Sequence, residues 1–176
     1  DYDGDGRPDL IAANVGLAPL LFHNQADHRL ARVLDGALPN QPTWSTFAAW
    51  ADYDNDGHLD LLLTRNGAPH QVWHGNPDGT LSLNANSGLT ATEGQIYGGA
   101  WVDYDGDGWV DIFTTSAFAP NALFHNNGNG TFTRVYPTGL GTDVFAVVGC
   151  AWGDYDNDGR PDLFLALPQQ RRLVRF

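Results

Sequence analysis

One nine-residue acidic loop recurs at a fixed interval and limits what this chain can fold into. Asp154-Tyr155-Asp156-Asn157-Asp158-Gly159-Arg160-Pro161-Asp162 has counterparts beginning at Asp1, Asp52 and Asp103, each 51 residues from the next. All read D-Y-D-[GN]-D-G-x-x-D. A constant period of this length marks a repeat architecture, in which each unit is one supersecondary element that buries its faces against its neighbours.

The loop's composition points to a metal. Carboxylates stand at relative positions 1, 3, 5 and 9: Asp1, Asp3, Asp5 and Asp9; Asp52, Asp54, Asp56 and Asp60; Asp103, Asp105, Asp107 and Asp111; Asp154, Asp156, Asp158 and Asp162. Four acids within nine residues repel one another unless a cation compensates them. Calcium takes about six to eight oxygens, and alternating Asp with an obligatory Gly lets a short loop wrap it. Gly6, Gly57, Gly108 and Gly159 hold relative position 6, where the chain must turn sharply. The main-chain carbonyls of Arg7, His58, Trp109 and Arg160, at position 7, are the expected additional ligands. Their side chains vary, as carbonyl ligands allow. A solvated acidic turn would account for a single copy but not for the same sixteen carboxylates in four. The EF-hand shares D-x-D-x-D-G but needs a bidentate Glu at position 12. That position holds Ala12, Leu63, Thr114 and Leu165, and the flanks are strand-like, so the EF-hand is rejected.

The charge is as localised as the motif. Of 21 acids against nine bases, sixteen lie in the loops, and four calcium ions would bring the net charge from −12 to −4. Nucleic acid is excluded as a partner because phosphate binding needs a basic patch. The one basic cluster, Arg171, Arg172 and Arg175, reads as a solvated strand face. The single cysteine, Cys150, allows no intrachain disulfide. It shares a small-residue position with Ala48 and Gly99, as a buried structural thiol would. Loops this acidic suit millimolar extracellular calcium, so an extracellular or cell-surface location is expected. No apolar run reaches the ~20 residues of a membrane span. The chain opens within a repeat, without signal peptide or initiator Met, as expected of a processed chain or a piece of a longer one.

Between the loops the pattern predicts short strands and almost no helix. In the third repeat these are Gln95–Val102, Ile112–Thr115, Ala122–His125 and Thr131–Val135, with a tight turn over Asn126-Asn127-Gly128-Asn129-Gly130. The second gives Phe47–Ala51, Leu61–Leu63, Gln71–His74 and Thr80–Leu83; the fourth gives Val147–Trp152, Leu163–Leu167 and Arg172–Arg175. Four short strands per unit make one propeller blade. The expected fold is all-β, with tandem blades of four antiparallel strands and about 3.5 repeats of 51 residues. The whole chain, 1–176, is one repeat domain, with blades at 1–34 (partial), 44–83, 95–135 and 145–176 (partial). The stretches Leu34–Thr46 and Asn84–Glu93 read as connections between blades, and loops are where specific function usually sits.

A tryptophan, the acidic loop, and then L-F-x-N-x-G-x-G-T-F, seen in full from Trp101 to Phe132, resemble the FG-GAP/VCBS repeat, the calcium-loop blade of integrin alpha propellers and of many secreted proteins. The resemblance covers nearly the whole chain. It implies calcium between the first two strands of each blade, held by Asp52, Asp54, Asp56, the His58 carbonyl and Asp60 and by their equivalents. Such propellers resemble closed rings of about seven blades, with about four the fewest that close. Three repeats and 23 further residues (176 − 3 × 51) fall short, so an incomplete ring or an open array is expected, with open edges that favour association.

Other chemistry is sparse. His23, His74 and His125 share one repeat position, lie on different blades, cannot meet at one metal, and read as strand residues. His28, His58 and His70 are scattered. There is no nucleophile motif, no catalytic residue is assigned, and loop carboxylates occupied by calcium cannot serve as glycosidase acids. Trp44, Trp109, Phe118, Tyr136 and Phe145 break the repeat and are the candidates for recognition of a protein or glycan. Asn129-Gly130-Thr131 fits both a glycosylation acceptor and a hairpin turn. The expected function is a non-catalytic calcium-binding scaffold for adhesion or ligand binding. The alternatives are a self-assembling subunit whose blades are completed by neighbouring chains, and a lectin-like propeller.

Overall fold

A computed structural model describes residues 1–34, 38, 42–90, 94–136, 147–168 and 171–174. The fold is all-β: β1 (Leu10–Ala12), β2 (Val15–Leu17), β3 (Leu20–Asn24), β4 (Leu30–Arg32), β5 (Thr43–Ala51), β6 (Asp60–Arg65), β7 (Gln71–Gly75), β8 (Leu81–Leu83), β9 (Gln95–Val102), β10 (Asp111–Ala117), β11 (Ala122–Asn126), β12 (Phe132–Val135), β13 (Gly149–Gly153), β14 (Asp162–Ala166) and β15 (Arg171–Val174). No helix of the described residues is long and apolar enough to cross a membrane.

The strands make four antiparallel sheets, one per repeat, each a meander. The second and third blades are the four-stranded units β5-β6-β7-β8 and β9-β10-β11-β12; the first holds β1-β3-β4 and the fourth β13-β14-β15. β2 is the exception. It leaves the first blade and pairs with β5 of the second, Val15 opposite Trp44 and Leu17 opposite Thr43. The same hand-over recurs without a full strand. Ser45 N–H donates to the Asn14 carbonyl, Ile96 N–H to Asn66 Oδ1 and Val147 N–H to the Ser116 carbonyl. The turn after each second strand is thereby tied to the start of the next blade.

Apolar residues are buried between blades, not within them. Tyr2, Leu21, Leu61, Trp73 and Leu81 fill the first interface. Tyr53, Leu62, Val72, Leu89, Ile112, Phe124 and Phe132 fill the second, and Phe113, Leu123, Val147, Leu163, Leu165 and Val174 the third. A middle blade is covered on both faces. This explains why Leu61-Leu62-Leu63 and Ile112-Phe113 are continuously apolar where a one-sided sheet would alternate. No core cluster of described residues joins the first blade to the fourth.

The inner strands β5, β9 and β13 lie side by side, which requires small residues. A Cβ on Gly99 would stand 2.8 Å from the Phe113 carbonyl oxygen and 3.3 Å from Phe47 Cδ1.

Phe118 departs from its own repeat. It occupies the left-handed region at φ 64°, where the equivalents are Gly16 (78°) and Gly67 (69°), and its side chain is exposed. A side chain there costs about 1–2 kcal/mol, partly offset by the unfolded-state entropy of a glycine, about 0.5–1 kcal/mol. Phe118→Gly is therefore expected to stabilise the fold by about 0.5–1 kcal/mol, raising the melting temperature by about 2 °C. Differential scanning calorimetry of the two proteins checks this, and a lower melting temperature in the variant contradicts it.

Candidate metal centres

All four acidic loops adopt one backbone design. Position 6 is left-handed in each, with φ of 85°, 90°, 90° and 88° at Gly6, Gly57, Gly108 and Gly159. Position 4 is left-handed too, at Gly4, Asn55, Gly106 and Asn157. Glycine and asparagine are the residues that enter this region most readily, which explains the [GN] alternation.

Two left-handed residues curl the loop so that its own carboxylates bind its own amides. The first Asp of each loop accepts from the glycine N–H at position 6: Gly6 to Asp1, Gly57 to Asp52, Gly108 to Asp103 and Gly159 to Asp154, at 2.9–3.0 Å. The position-5 carboxylates of Asp5, Asp56, Asp107 and Asp158 accept from the N–H groups of Arg7, His58, Trp109 and Arg160, all at 2.9 Å. Side-chain oxygens of Asp1, Asp3 and Asp5, and of Asp52, Asp54 and Asp56, gather within 4.8 Å of one another.

The ninth residue is the anchor. Asp9, Asp60, Asp111 and Asp162 each accept from the N–H of the loop tyrosine (Tyr2, Tyr53, Tyr104 and Tyr155) at 2.8–3.1 Å. The second oxygen of Asp9, Asp60 and Asp111 accepts from Asn24, Gly75 and Asn126 N–H at 2.7–2.8 Å. One carboxylate thus ties the loop to the third strand. Burial pushes Asp60 and Asp111 up to about 6, against the lowering effect of those backbone donors; the neighbouring Asp54 and Asp105 add to the rise. Burial also raises Asp54, with the Asp56 charge next.

Such carboxylates hold their protons more tightly folded than unfolded. In metal-free protein that contribution to stability is complete below the unfolded value near 4 and is lost as the pH rises through about 6. Resin-stripped protein is accordingly expected to melt higher at pH 5 than at pH 7. A dication held by these carboxylates would reverse the sign, because protons would then compete with it. Melting curves at both pH values, with and without calcium, test both signs.

From sequence, His23, His74 and His125 read as strand residues because they cannot share one ion. They do not share one, yet each faces its own loop. His74 Nδ1 lies 3.1 Å from Asp54 Oδ2 and 3.3 Å from Asp60 Oδ1. His125 Nδ1 lies 3.3 Å from both Asp105 Oδ2 and Asp111 Oδ1, and His23 Nδ1 lies 2.9 Å from Asp3 Oδ2. The placement follows from the meander, since the loop after the first strand and the turn after the third lie at the same end of a blade. The spacing of 22 residues from the first Asp of each loop was the available signal (23 − 1, 74 − 52, 125 − 103). The clustered carboxylates of the first two loops and the buried, unbonded Asp54 Oδ1 fit a hard dication.

The loops also join blades. The Tyr2 ring stacks on Trp50 of the next blade (centroids 5.9 Å apart, 17° between planes), and Tyr53 on Trp101 (6.3 Å, 7°). Of the pattern-breaking aromatics, Trp44, Phe118 and Tyr136 are exposed at the blade end away from the loops. Trp109 lies against the hairpin turn, where a Cβ on Gly128 would stand 2.9 Å from its ring. Phe145 and Arg175 are outside the described residues. Cys150 is half-buried, and burial pushes its thiol up to about 11, an unreactive setting. Asn129 Oδ1 accepts from Thr131 N–H at 3.1 Å, closing the hairpin turn.

A family model described as FG-GAP-like repeat matches residues 1–63, 52–114 and 103–165. Each window runs from one acidic loop through the next. Cartilage acidic protein 1 of Homo sapiens is 28% identical over 154 residues, covering 78% of this chain and 23% of that protein. Its Mus musculus counterpart is 30% identical over 159 residues, covering 78% and 24%. The chain thus spans about a quarter of the length of the curated relatives it matches.

Proposed function

The chain belongs to the FG-GAP-like repeat family, and from that premise we propose that it is a calcium-stabilised extracellular scaffold for adhesion or ligand binding, without catalytic activity of its own. The observation that carries this reading is the fourfold recurrence of one loop geometry, with the same carboxylates bonded to the same amides. A site repeated on every blade serves what every blade needs, which is to hold its first two strands together. The name of the cartilage relatives fits an extracellular setting, where calcium is plentiful. The ligand surface would be the loop-free end, where Trp44, Phe118 and Tyr136 are exposed.

Calorimetric titration of stripped protein with calcium is expected to give four sites per chain, abolished one at a time by Asp→Ala at the first position of each loop. Absence of any calcium-dependent heat removes the proposal.

A second reading, assembly of blades across chains, is favoured by one contrast. Tyr2 and Tyr53 are 9% and 4% exposed beneath the next blade, whereas Tyr155 is 66% exposed, beside the exposed Phe164 and Leu173, a face that a further blade of this chain or of another would cover. Sedimentation velocity of the chain with calcium distinguishes them, because a monomer at all concentrations rules out assembly.

A further inference from the structure

The three loop-facing histidines are the wrong chemistry for calcium alone. Calcium is a hard ion that takes oxygen. Imidazole nitrogen is a ligand for first-row transition ions. His23, His74 and His125 nevertheless each direct Nδ1 toward carboxylates from relative positions 3 and 9 of their own loop. All three Nδ1 atoms are buried, and none satisfies hydrogen-bond geometry with the oxygens beside it. Close approach without hydrogen-bond alignment is what donors around a common cation show.

The distances agree. Nδ1 stands 2.9–3.6 Å from the two carboxylate oxygens across the three copies. Zinc bonds of ~2.0–2.2 Å at octahedral or tetrahedral angles set neighbouring donors ~2.8–3.6 Å apart. The other ring nitrogen, Nε2, lies 3.5–3.9 Å from Asp5, Asp56 and Asp107 Oδ2. A metal-bound imidazole commonly directs its remaining N–H at a carboxylate in this way, which fixes the tautomer with Nδ1 unprotonated. The carboxylate ligand at position 9 is fully buried in all three copies and held by backbone donors. The fourth repeat supplies an internal control, because its sequence has Phe176 where the others have histidine (154 + 22).

We propose that His23, His74 and His125 are metal ligands, so that the first three loops accept a divalent first-row transition ion, with Zn2+ the best match, through one imidazole and two carboxylates, while the fourth loop accepts calcium only. This rests on the reading of the loops as metal sites. Zinc and calcium then compete for the first three cages.

The test uses the whole chain, stripped on chelating resin, and titrates Zn2+ against a chromogenic chelator and Ca2+ by calorimetry. Wild-type protein should bind three Zn2+ and four Ca2+. Each of His23→Gln, His74→Gln and His125→Gln should lose one Zn2+ and keep four Ca2+, while His28→Asn, at an exposed position outside the loops, loses neither. On wild-type protein, long-range 1H–15N NMR should show zinc-induced shifts at Nδ1 of His23, His74 and His125 and not of His28 or His70. This second measurement needs no variant to fold. Four Ca2+ with zinc binding indifferent to the three substitutions, or no zinc binding at all, overturns this inference and leaves the calcium reading intact. Failure to bind either ion overturns both.

Discussion

Stripping calcium from this chain is expected to lower its melting temperature by about 20–40 °C. An ion present at a hundred times its dissociation constant stabilises the state that binds it by about 2.7 kcal/mol per site. Four equivalent loops bring this to about 11 kcal/mol. A domain of this size moves about 2–4 °C per kcal/mol. The sixteen loop carboxylates would also repel once ions left, with few cations beside them, among the described residues Arg7 next to Asp5 and the histidines of the first three loops. Melting curves in millimolar calcium and in excess EDTA at neutral pH measure the difference. Coincident curves would mean that the loops close without metal.

The second large effect is independent of metal. Asn126 is buried at the interface of the second and third blades. Its Nδ2 donates to the Tyr53 carbonyl of the neighbouring blade at 2.8 Å and to the Val110 carbonyl at 3.0 Å, and its Oδ1 accepts from Gly128 N–H at 3.1 Å. Alanine removes all three bonds and leaves buried carbonyls without a donor. At about 1–3 kcal/mol for each buried group left unsatisfied, Asn126→Ala should cost about 3 kcal/mol. That corresponds to about 6–12 °C. The shift should be similar in calcium and in EDTA, which separates the bridge between blades from the loops. Denaturant melts of wild type and variant give the number, and a loss below about 0.5 kcal/mol would place the bridge among ordinary surface contacts.

Much of the fold could be read from the sequence because the physics repeats. The strand expected at Gln95–Val102 is observed at those bounds, since Gly98-Gly99-Ala100 mark an inner strand and the loop ends it sharply. Leu61-Leu62-Leu63 carried no period-two signal, and the loops on either side identified it as a strand. β2 was not legible. Val-Gly-Leu is three exposed residues that form a strand only because another blade's β5 lies alongside. The histidine placements required knowing which loop and which turn share an end of the blade. The [GN] alternation at position 4 was visible in sequence, but its left-handed backbone was not.

The stacking of Tyr2 on Trp50 and of Tyr53 on Trp101 has a consequence for how ions would fill the array. Each tyrosine sits between the first and second carboxylates of one loop, with its ring on the following blade. Occupancy of one loop therefore steadies the unit ahead of it, and a vacancy loosens that unit. Ion uptake would follow a one-dimensional nearest-neighbour lattice with a direction, in which vacancies cluster and the blades melt from one end.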